Sequence, residues 1–239
     1  MSKYSSFHPE TDQYDMGSQT ANAMALALGL VPDGHAQGVL EHLVADIHAH
    51  GDHVTSGDVG FHYVVRALTE NGRSDVLAAM FSRTDPPSYG YQLMQGATTL
   101  TEAWNSDPGS SQNHFMLGHG EGWFYSGLAG ISIDMSRGPD DAVQLQPSLL
   151  AGVAHTSASY RSAMGEVTTA WDRTGAVASV DVTVPAGAQA HLNLPATDWR
   201  ESGTIASHAP GVLNSKDGPA GINLTLGSGT YRFSTTQLP

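Results

Sequence analysis

The chain has 239 residues, of which 40% are hydrophobic and only 14% charged, a composition that supports a buried core and excludes wholesale disorder. Ten basic against 23 acidic residues leave a formal charge of −13. Such a surface repels phosphate backbones and anionic lipid, so neither nucleic acid nor a membrane is an expected partner, while neutral substrates such as sugars remain open. Cysteine is absent, which removes disulfides, thiolate nucleophiles and cysteine-based metal centres.

The amino terminus, MSKYSSFHPE, has no apolar h-region, so no signal peptide is read in this chain and a cytoplasmic location is the expectation. The longest apolar run, Ala23 to Val31, is far too short to span a bilayer. It belongs to a first helix with Ser18 as N-cap and Met24, Leu28 and Val31 at i, i+4 and i+7. A second stripe, Leu40, Leu43, Val44 and Ile47, ends near Gly51. A third helix is predicted from about Gly60 to Asn71, carrying Phe61, Val64, Val65 and Leu68, with Gly72 at C′. Ser74 to Ser82 read as a short fourth helix, and Asp85-Pro-Pro-Ser-Tyr-Gly-Tyr as a rigid loop. A fifth is predicted from about Gln92 to Trp104 and a sixth from about Gln112 to Leu128. Six helices joined by short turns suggest stacked helical hairpins.

After Gly130 the period changes from helical to alternating. Val143-Gln-Leu-Gln, Gly165 to Trp171, Val177 to Pro185 and Ala190 to Pro195 read as strands. Turn clusters at Pro185-Ala-Gly and Asp217-Gly-Pro separate them, and Tyr231-Arg-Phe follows Gly227-Ser-Gly. The expected fold is therefore mainly α and then β. A helical domain covers residues 1–134, and an antiparallel β-sandwich covers residues 135–239.

Two clusters bear on chemistry. His48-Ala-His50-Gly-Asp52-His53 spells HxHxDH, which resembles the metallo-β-lactamase superfamily, where three histidines and an aspartate cradle zinc. There the motif follows a buried strand, whereas here it follows a helical stripe. The other reading is a polar helix end, where imidazolium favours the negative end of the dipole. The second cluster lies between Asp85 and Gly130. On the predicted fifth helix Leu93, Ala97, Leu100 and Trp104 share one face, and Gln95, Thr98 and Glu102 form a polar stripe on the other. In a ring of helices Glu102 would face a pocket lined by Tyr89, Tyr91 and His114; the alternative is a solvated surface glutamate.

The ordered segments Gln19-Thr-Ala, Ser56-Gly-Asp-Val-Gly-Phe, Asn71-Gly-Arg, Pro87-Ser-Tyr-Gly-Tyr, Gly96-Ala-Thr-Thr-Leu-Thr-Glu-Ala-Trp, Asn113-His and Trp123-Phe-Tyr resemble bacterial α-L-rhamnosidases of glycoside hydrolase family 78. Gln146-Pro, Gly165-Glu-Val with Trp171, Val182-Thr-Val-Pro-Ala-Gly and Leu194-Pro extend the resemblance to about residue 195. It implies an (α/α)₆ barrel followed by a carboxy-terminal β-sandwich, here about six of the twelve barrel helices. It also implies inverting hydrolysis of terminal α-L-rhamnosyl groups from a rhamnosylated glycoside or oligosaccharide, with no cofactor. Glu102 matches the general base, although many relatives read Trp-Glu-x-Trp where this chain has Thr101-Glu102-Ala103-Trp104. His114, in the Asn113-His114 pair, matches a histidine lining the sugar subsite, or is a buried histidine holding a helix end. Tyr89 and Tyr91 match an aromatic loop that contacts rhamnose or packs.

The family's general acid lies in an Arg-Asp-Glu-Arg…Gly-Trp…Gly-Asp segment of the first half of the barrel, and no residues here match it. The chain is therefore expected to be the carboxy-terminal part of a longer enzyme. Its missing amino-terminal half would be its partner, an apolar face would be left uncovered, and alone it would have little or no activity. The rival readings are a zinc-dependent hydrolase built on His48, His50, Asp52 and His53, and a non-catalytic sugar-binding module.

Overall fold

A computed structural model describes residues 6–218 and 221–238. The extreme amino terminus, residues 1–5, and Pro219 of the predicted Asp217-Gly-Pro turn lie outside the described residues. Two compact units divide the chain, the first ending at Trp123 and the second beginning at Phe124. Among the described residues no helix is long and apolar enough to cross a membrane.

The first unit opens with a two-stranded antiparallel ribbon, β1 (Phe7–His8) and β2 (Gln13–Tyr14). Six α-helices follow among the described residues: α1 (Gln19–Ala27), α2 (Ala36–Ala49), α3 (Asp58–Glu70), α4 (Ser74–Phe81), α5 (Tyr89–Met94) and α6 (Gly120–Trp123). Ser18 caps α1, its hydroxyl accepting the Ala21 N–H at 3.2 Å. The first three helices stop in the same way. At Gly29, Gly51 and Gly72 the backbone turns to positive φ, and the next residue's N–H reaches back to the carbonyls of Ala25, Ile47 and Leu68. This Schellman closure satisfies end carbonyls that would otherwise be orphaned. Leu43, Ile47, Phe61, Leu68 and Leu77 are fully buried from α2, α3 and α4. Each contributes on the order of 1.5–3 kcal/mol of apolar burial.

The predicted fifth helix is not formed beyond Met94. Gly96 adopts φ +82°, Gly96 N–H bonds Leu93 O, and Ala97 N–H bonds Gln92 O at 3.0 Å. That is the same glycine closure, and the β-branched Thr98-Thr99 that follows does not restart a helix. The apolar and polar stripes read along 93–104 therefore do not exist as helix faces. Leu93 and Met94 are 71% and 73% exposed, and Glu102 stands on a loop. The predicted sixth helix is likewise broken, into a 3₁₀ turn at Phe115–Leu117, α6, and a π turn at Phe124–Leu128. Gly118, Gly120 and Gly122 weaken the helical preference there.

The second unit is a sandwich of two sheets. One has the order β10 (Thr204–Ile205), β9 (Arg200–Glu201), β13 (Gly229–Thr235), β7 (Val177–Val184), β6 (Gly165–Thr174) and β5 (His155–Ser162). The other has the order β11 (Val212–Gly218), β12 (Gly221–Leu226), β8 (Ala190–Pro195), β4 (Val143–Leu145) and β3 (Ile131–Ile133). Alternate residues are buried along the central strands: Val167, Thr169 and Trp171 on β6, Val180 and Val182 on β7, Leu192 and Leu194 on β8. This is the period-2 signal of a half-buried strand. One pair departs from the predicted antiparallel pattern: β4 and β8 run parallel, with Val143 opposite Ala190. The chain leaves β4, builds β5 to β7 in the other sheet, and returns beside β4 in the same direction. The buried Trp171 indole donates to Leu128 O at 3.0 Å, and Thr169 Oγ1 donates to Ala129 O at 2.8 Å.

Candidate functional site

The turn leading into α3 is fixed from α1. Gln19 is fully buried, and its amide spans the segment before that turn. Nε2 donates to His53 O at 3.2 Å, and Oε1 accepts the Thr55 N–H at 3.0 Å. Ser56, Gly57 and Asp58 follow, with Asp58 opening α3 where a carboxylate complements the helix dipole. Asp58 Oδ1 accepts the Val59 N–H at 2.8 Å, and Oδ2 lies 3.1 Å from His114 Nε2. The bond from His114, and next the Val59 N–H, hold the Asp58 carboxyl below the usual carboxylate range.

Glu102 sits on the loop between α5 and the 3₁₀ turn, and that loop is a hydrogen-bonded hairpin. Its rungs are His114 N–H to Leu100 O at 2.8 Å and Glu102 N–H to Ser111 O at 2.9 Å. Thr99 Oγ1 also donates to Gln112 O. The Glu102 side chain closes the end, Oε2 accepting the Ser111 N–H at 3.1 Å. The residue is exposed, and among the described residues Oε1 makes no hydrogen bond. Two positions on, the Trp104 indole donates to Ser56 O at 3.3 Å, and its ring meets Phe61 edge-on at 5.2 Å. Glu102 thus lies between two attachments to the turn at 56–58, one through Trp104 and one through His114.

Of the other predicted site residues, Tyr89 is placed among aromatic rings. Phe61, Phe81 and Trp104 surround it at centroid distances of 5.8, 5.3 and 5.2 Å, and its hydroxyl donates to Leu117 O. Burial pushes its phenol up, out of the range in which it ionises. Gly120 admits this ring, since a Cβ there would come within 3.0 Å of Tyr89 Cε2. A small cavity beside it is lined by Val54, Phe61, Tyr89 and Trp104, and neither Glu102 nor His114 is on its wall. Tyr91 is half-buried, its N–H donating to Ser88 Oγ at 3.0 Å. Asn113 is exposed on the hairpin beside His114. The structure therefore joins Glu102, Asn113 and His114 on one hairpin and sets Tyr89 in the packing beneath it.

The HxHxDH segment forms the end of α2. His50 Nδ1–H donates to Asp46 O at 2.8 Å, and His53 Nδ1–H donates to His50 O at 2.9 Å. His48 Nδ1 lies 2.6 Å from Asp52 Oδ1, and His53 Nε2 lies 3.2 Å from Asp85 Oδ1. Each side chain has its own partner, and among the described residues no three histidine or carboxylate groups converge where they could hold a metal ion. Two of the imidazoles here satisfy backbone carbonyls at a helix terminus.

Reasoning from the sequence passed over Asp58 and Ser111, which hold His114 and Glu102. It also missed the His62–His119 pair, whose rings lie 4.7 Å apart. Burial, and then the neighbouring His62, push the His119 imidazole down from its ordinary value. Asp58 lies in the Ser56-Gly-Asp-Val-Gly-Phe segment that carries the resemblance, but an acidic residue at a helix start by itself reads only as a dipole partner.

Residues 3–128 match the family model of the bacterial alpha-L-rhamnosidase 6 hairpin glycosidase domain, and residues 141–207 match that of the bacterial alpha-L-rhamnosidase C-terminal domain. An alpha-L-rhamnosidase of Streptomyces avermitilis is 29% identical over 227 residues, which is 91% of this chain and 21% of that protein. The structure of alpha-L-rhamnosidase from Dictyoglumus thermophilum is similar with a TM-score of 0.83 and 29% identity, over 97% of this chain and 27% of that one. The Streptomyces avermitilis alpha-L-rhamnosidase complexed with L-rhamnose is similar with a TM-score of 0.83 and 25% identity, over 97% and 23%. The chain spans about a quarter of the length of these relatives.

Proposed function

Since the chain belongs to the bacterial α-L-rhamnosidase six-hairpin glycosidase family, we propose that it is the part of an inverting α-L-rhamnosidase that supplies the general base, Glu102. Residues 1–134 are then the carboxy-terminal half of the catalytic barrel, and residues 135–239 its β-sandwich domain. The substrate is a rhamnosylated glycoside or oligosaccharide. The observation that carries the reading is the state of the Glu102 carboxylate. One oxygen is pinned by the Ser111 N–H, and the other is exposed without a partner among the described residues. A base that must take a proton from water needs this arrangement: a fixed position and one free lone pair.

In the proposed reaction Glu102 removes a proton from a water molecule as its oxygen attacks the anomeric carbon. The bond from that carbon to the leaving oxygen breaks on the opposite face, and a carboxylic acid protonates the leaving group. In inverting enzymes the two carboxyl groups stand about 6.5–9.5 Å apart, leaving room for the water. No Arg-Asp-Glu-Arg…Gly-Trp…Gly-Asp segment occurs in the 239 residues, so the acid comes from the remainder of a longer enzyme.

The test is release of p-nitrophenol from p-nitrophenyl α-L-rhamnopyranoside, by this chain alone and by the chain fused to the upstream half-barrel of a relative. Turnover is expected only in the fused protein. Glu102→Gln should lower its kcat by about 10²–10⁴. Azide should restore turnover to Glu102→Ala, because an anionic nucleophile needs no base. Turnover by the isolated chain, or an unchanged kcat in the Glu102→Gln fusion, refutes the proposal.

A further inference from the structure

Asp58 and His62 stand four residues apart on α3 and so share one face of the helix. Opposite them are His114, on the Glu102 hairpin, and His119, on the segment that follows it. Asp58 Oδ2 meets His114 Nε2 at 3.1 Å, and His62 stacks obliquely on His119. The Asp58–His114 contact is partly withdrawn from solvent, the two side chains being 32% and 21% exposed. Fifty-six residues of sequence separate the pair.

We propose that Asp58 is a positioning residue for the hydrolysis: it accepts the Nε2 proton of His114, fixes the imidazole as the Nε2–H tautomer, and leaves Nδ1 to accept a hydrogen bond from a rhamnosyl hydroxyl. The inference rests on the reading of His114 as a subsite residue. Its geometry has three parts. A neutral imidazole donates from one nitrogen and accepts at the other, so a carboxylate on Nε2 decides the role of Nδ1. Among the described residues Nδ1 of His114 makes no hydrogen bond, which leaves it for a ligand. The backbone of the same residue is a rung of the hairpin that carries Glu102, so the hold on the ring is also a hold on the loop.

The titratable groups beside the pair are His62 from α3 and His119 from the opposite segment. The depressed carboxyl of Asp58, caused first by the His114 bond, fits a carboxylate that remains an acceptor throughout the neutral range. Asp58 itself touches no substrate in this scheme and acts only through His114.

The test begins with this chain as it is, uniformly ¹⁵N-labelled, in long-range ¹H–¹⁵N spectra that read the protonation of each ring nitrogen. His114 is expected as the Nε2–H tautomer near neutral pH. Asp58→Ala should return it to a mixture. Asp58→Asn is isosteric, but with its one oxygen taken by the Val59 N–H it turns its NH2 toward Nε2 and should drive His114 to the Nδ1–H tautomer, a reversal that a folding artefact in the alanine variant could not produce. A dominant Nδ1–H tautomer in the parent chain, or an unchanged one in Asp58→Ala, overturns the proposal. In the fused enzyme Asp58→Ala should then lower kcat/KM for p-nitrophenyl α-L-rhamnopyranoside by about tenfold, carried by KM, the worth of one charge-assisted hydrogen bond. Asp58→Asn should not recover it, because its amide nitrogen donates to Nε2 and opposes the tautomer. A tautomer lost with KM unmoved would make the pair merely structural and overturn the positioning role. A fused protein inert with Asp58 intact refutes the assigned activity, and the positioning role with it, whatever the tautomer shows.

Discussion

Replacing Gln19 by Met tests whether α1 builds the turn on which the site rests. Met keeps the approximate volume of Gln and remains compatible with a helix, so packing is largely conserved. What is lost is the pair of amide bonds, 3.2 Å to His53 O and 3.0 Å from Thr55 N–H. Gln19 is fully buried, but both bonds reach a part-exposed segment, so each orphaned backbone group falls at the lower end of the range, about 1 kcal/mol. Two groups give about 2 kcal/mol, and for a chain of this size a fall in Tm of about 4–8 °C. The assay is thermal unfolding followed by near-ultraviolet circular dichroism. Amide hydrogen exchange at Thr55 serves as the local readout and should speed up beyond the global change. A variant within about 0.5 kcal/mol of the parent, with Thr55 exchange unaltered, would show that the 53–55 segment holds itself and that the role given to α1 is wrong.

Two further predictions follow, one from a close contact and one from charge. Gly60 lies where α3 meets α1, and a Cβ there would stand 2.3 Å from Thr20 Oγ1 and 2.9 Å from Thr20 Cγ2. Gly60→Ala should therefore cost about 1–3 kcal/mol in urea unfolding, and Thr20→Ala in the same chain should recover most of it; failure to recover would place the strain elsewhere. Arg83 Nε and Nη2 grip Asp85 at 3.0 and 2.8 Å, and with a smaller contribution from His53 they bring the Asp85 carboxyl down to about 2. The folded value lies below the unfolded one of about 3.9, so the pair stabilises the fold above that pH and its contribution is lost as pH falls through about 2. The side-chain carboxyl ¹³C resonance of Asp85 should titrate near 2, and Arg83→Gln should return it toward the ordinary range; an ordinary midpoint in the parent chain would refute the pairing.

The helical unit was legible where sequence punctuation and apolar period agreed. Ser18 opens α1 as its spacing predicts, and Gly51 and Gly72 end α2 and α3. The reading failed at Gly96, where the same stop signal was overridden by apolar residues at 93, 97, 100 and 104 that happen to keep a helical period. Leu93 is exposed and Trp104 packs from a loop, so that periodicity had no helix beneath it. Strand β5 escaped notice for the opposite reason. None of His155–Ser162 is buried, so no alternation marks it, and its pairing with β6 supplies the structure. The parallel register of β4 with β8 is a property of the return path, and neither strand's composition records it.

The failure at Gly96 changes the physical account of Glu102 more than it changes its identity. A glutamate on a helix inherits its direction from the helix, whereas one on a loop must be held by named contacts. Here those contacts form a series: Gln19 holds residues 53–55, these lead into Ser56 and Asp58, and Trp104 and His114 bind that turn from either side of Glu102. The hairpin rungs and the Ser111 N–H then fix the carboxylate itself. A displacement of about 1 Å at a reacting group can cost about a hundredfold in rate. With Glu102 as the proposed base, turnover is therefore expected to be as sensitive to Gln19 or Asp58, more than forty positions away in sequence, as it would be to the turn of a helix that carried the carboxylate. The ordered motifs Gln19-Thr-Ala, Ser56-Gly-Asp and Asn113-His acquire one explanation on this view: they are the successive supports of a single carboxylate, met in the order in which the chain reaches them.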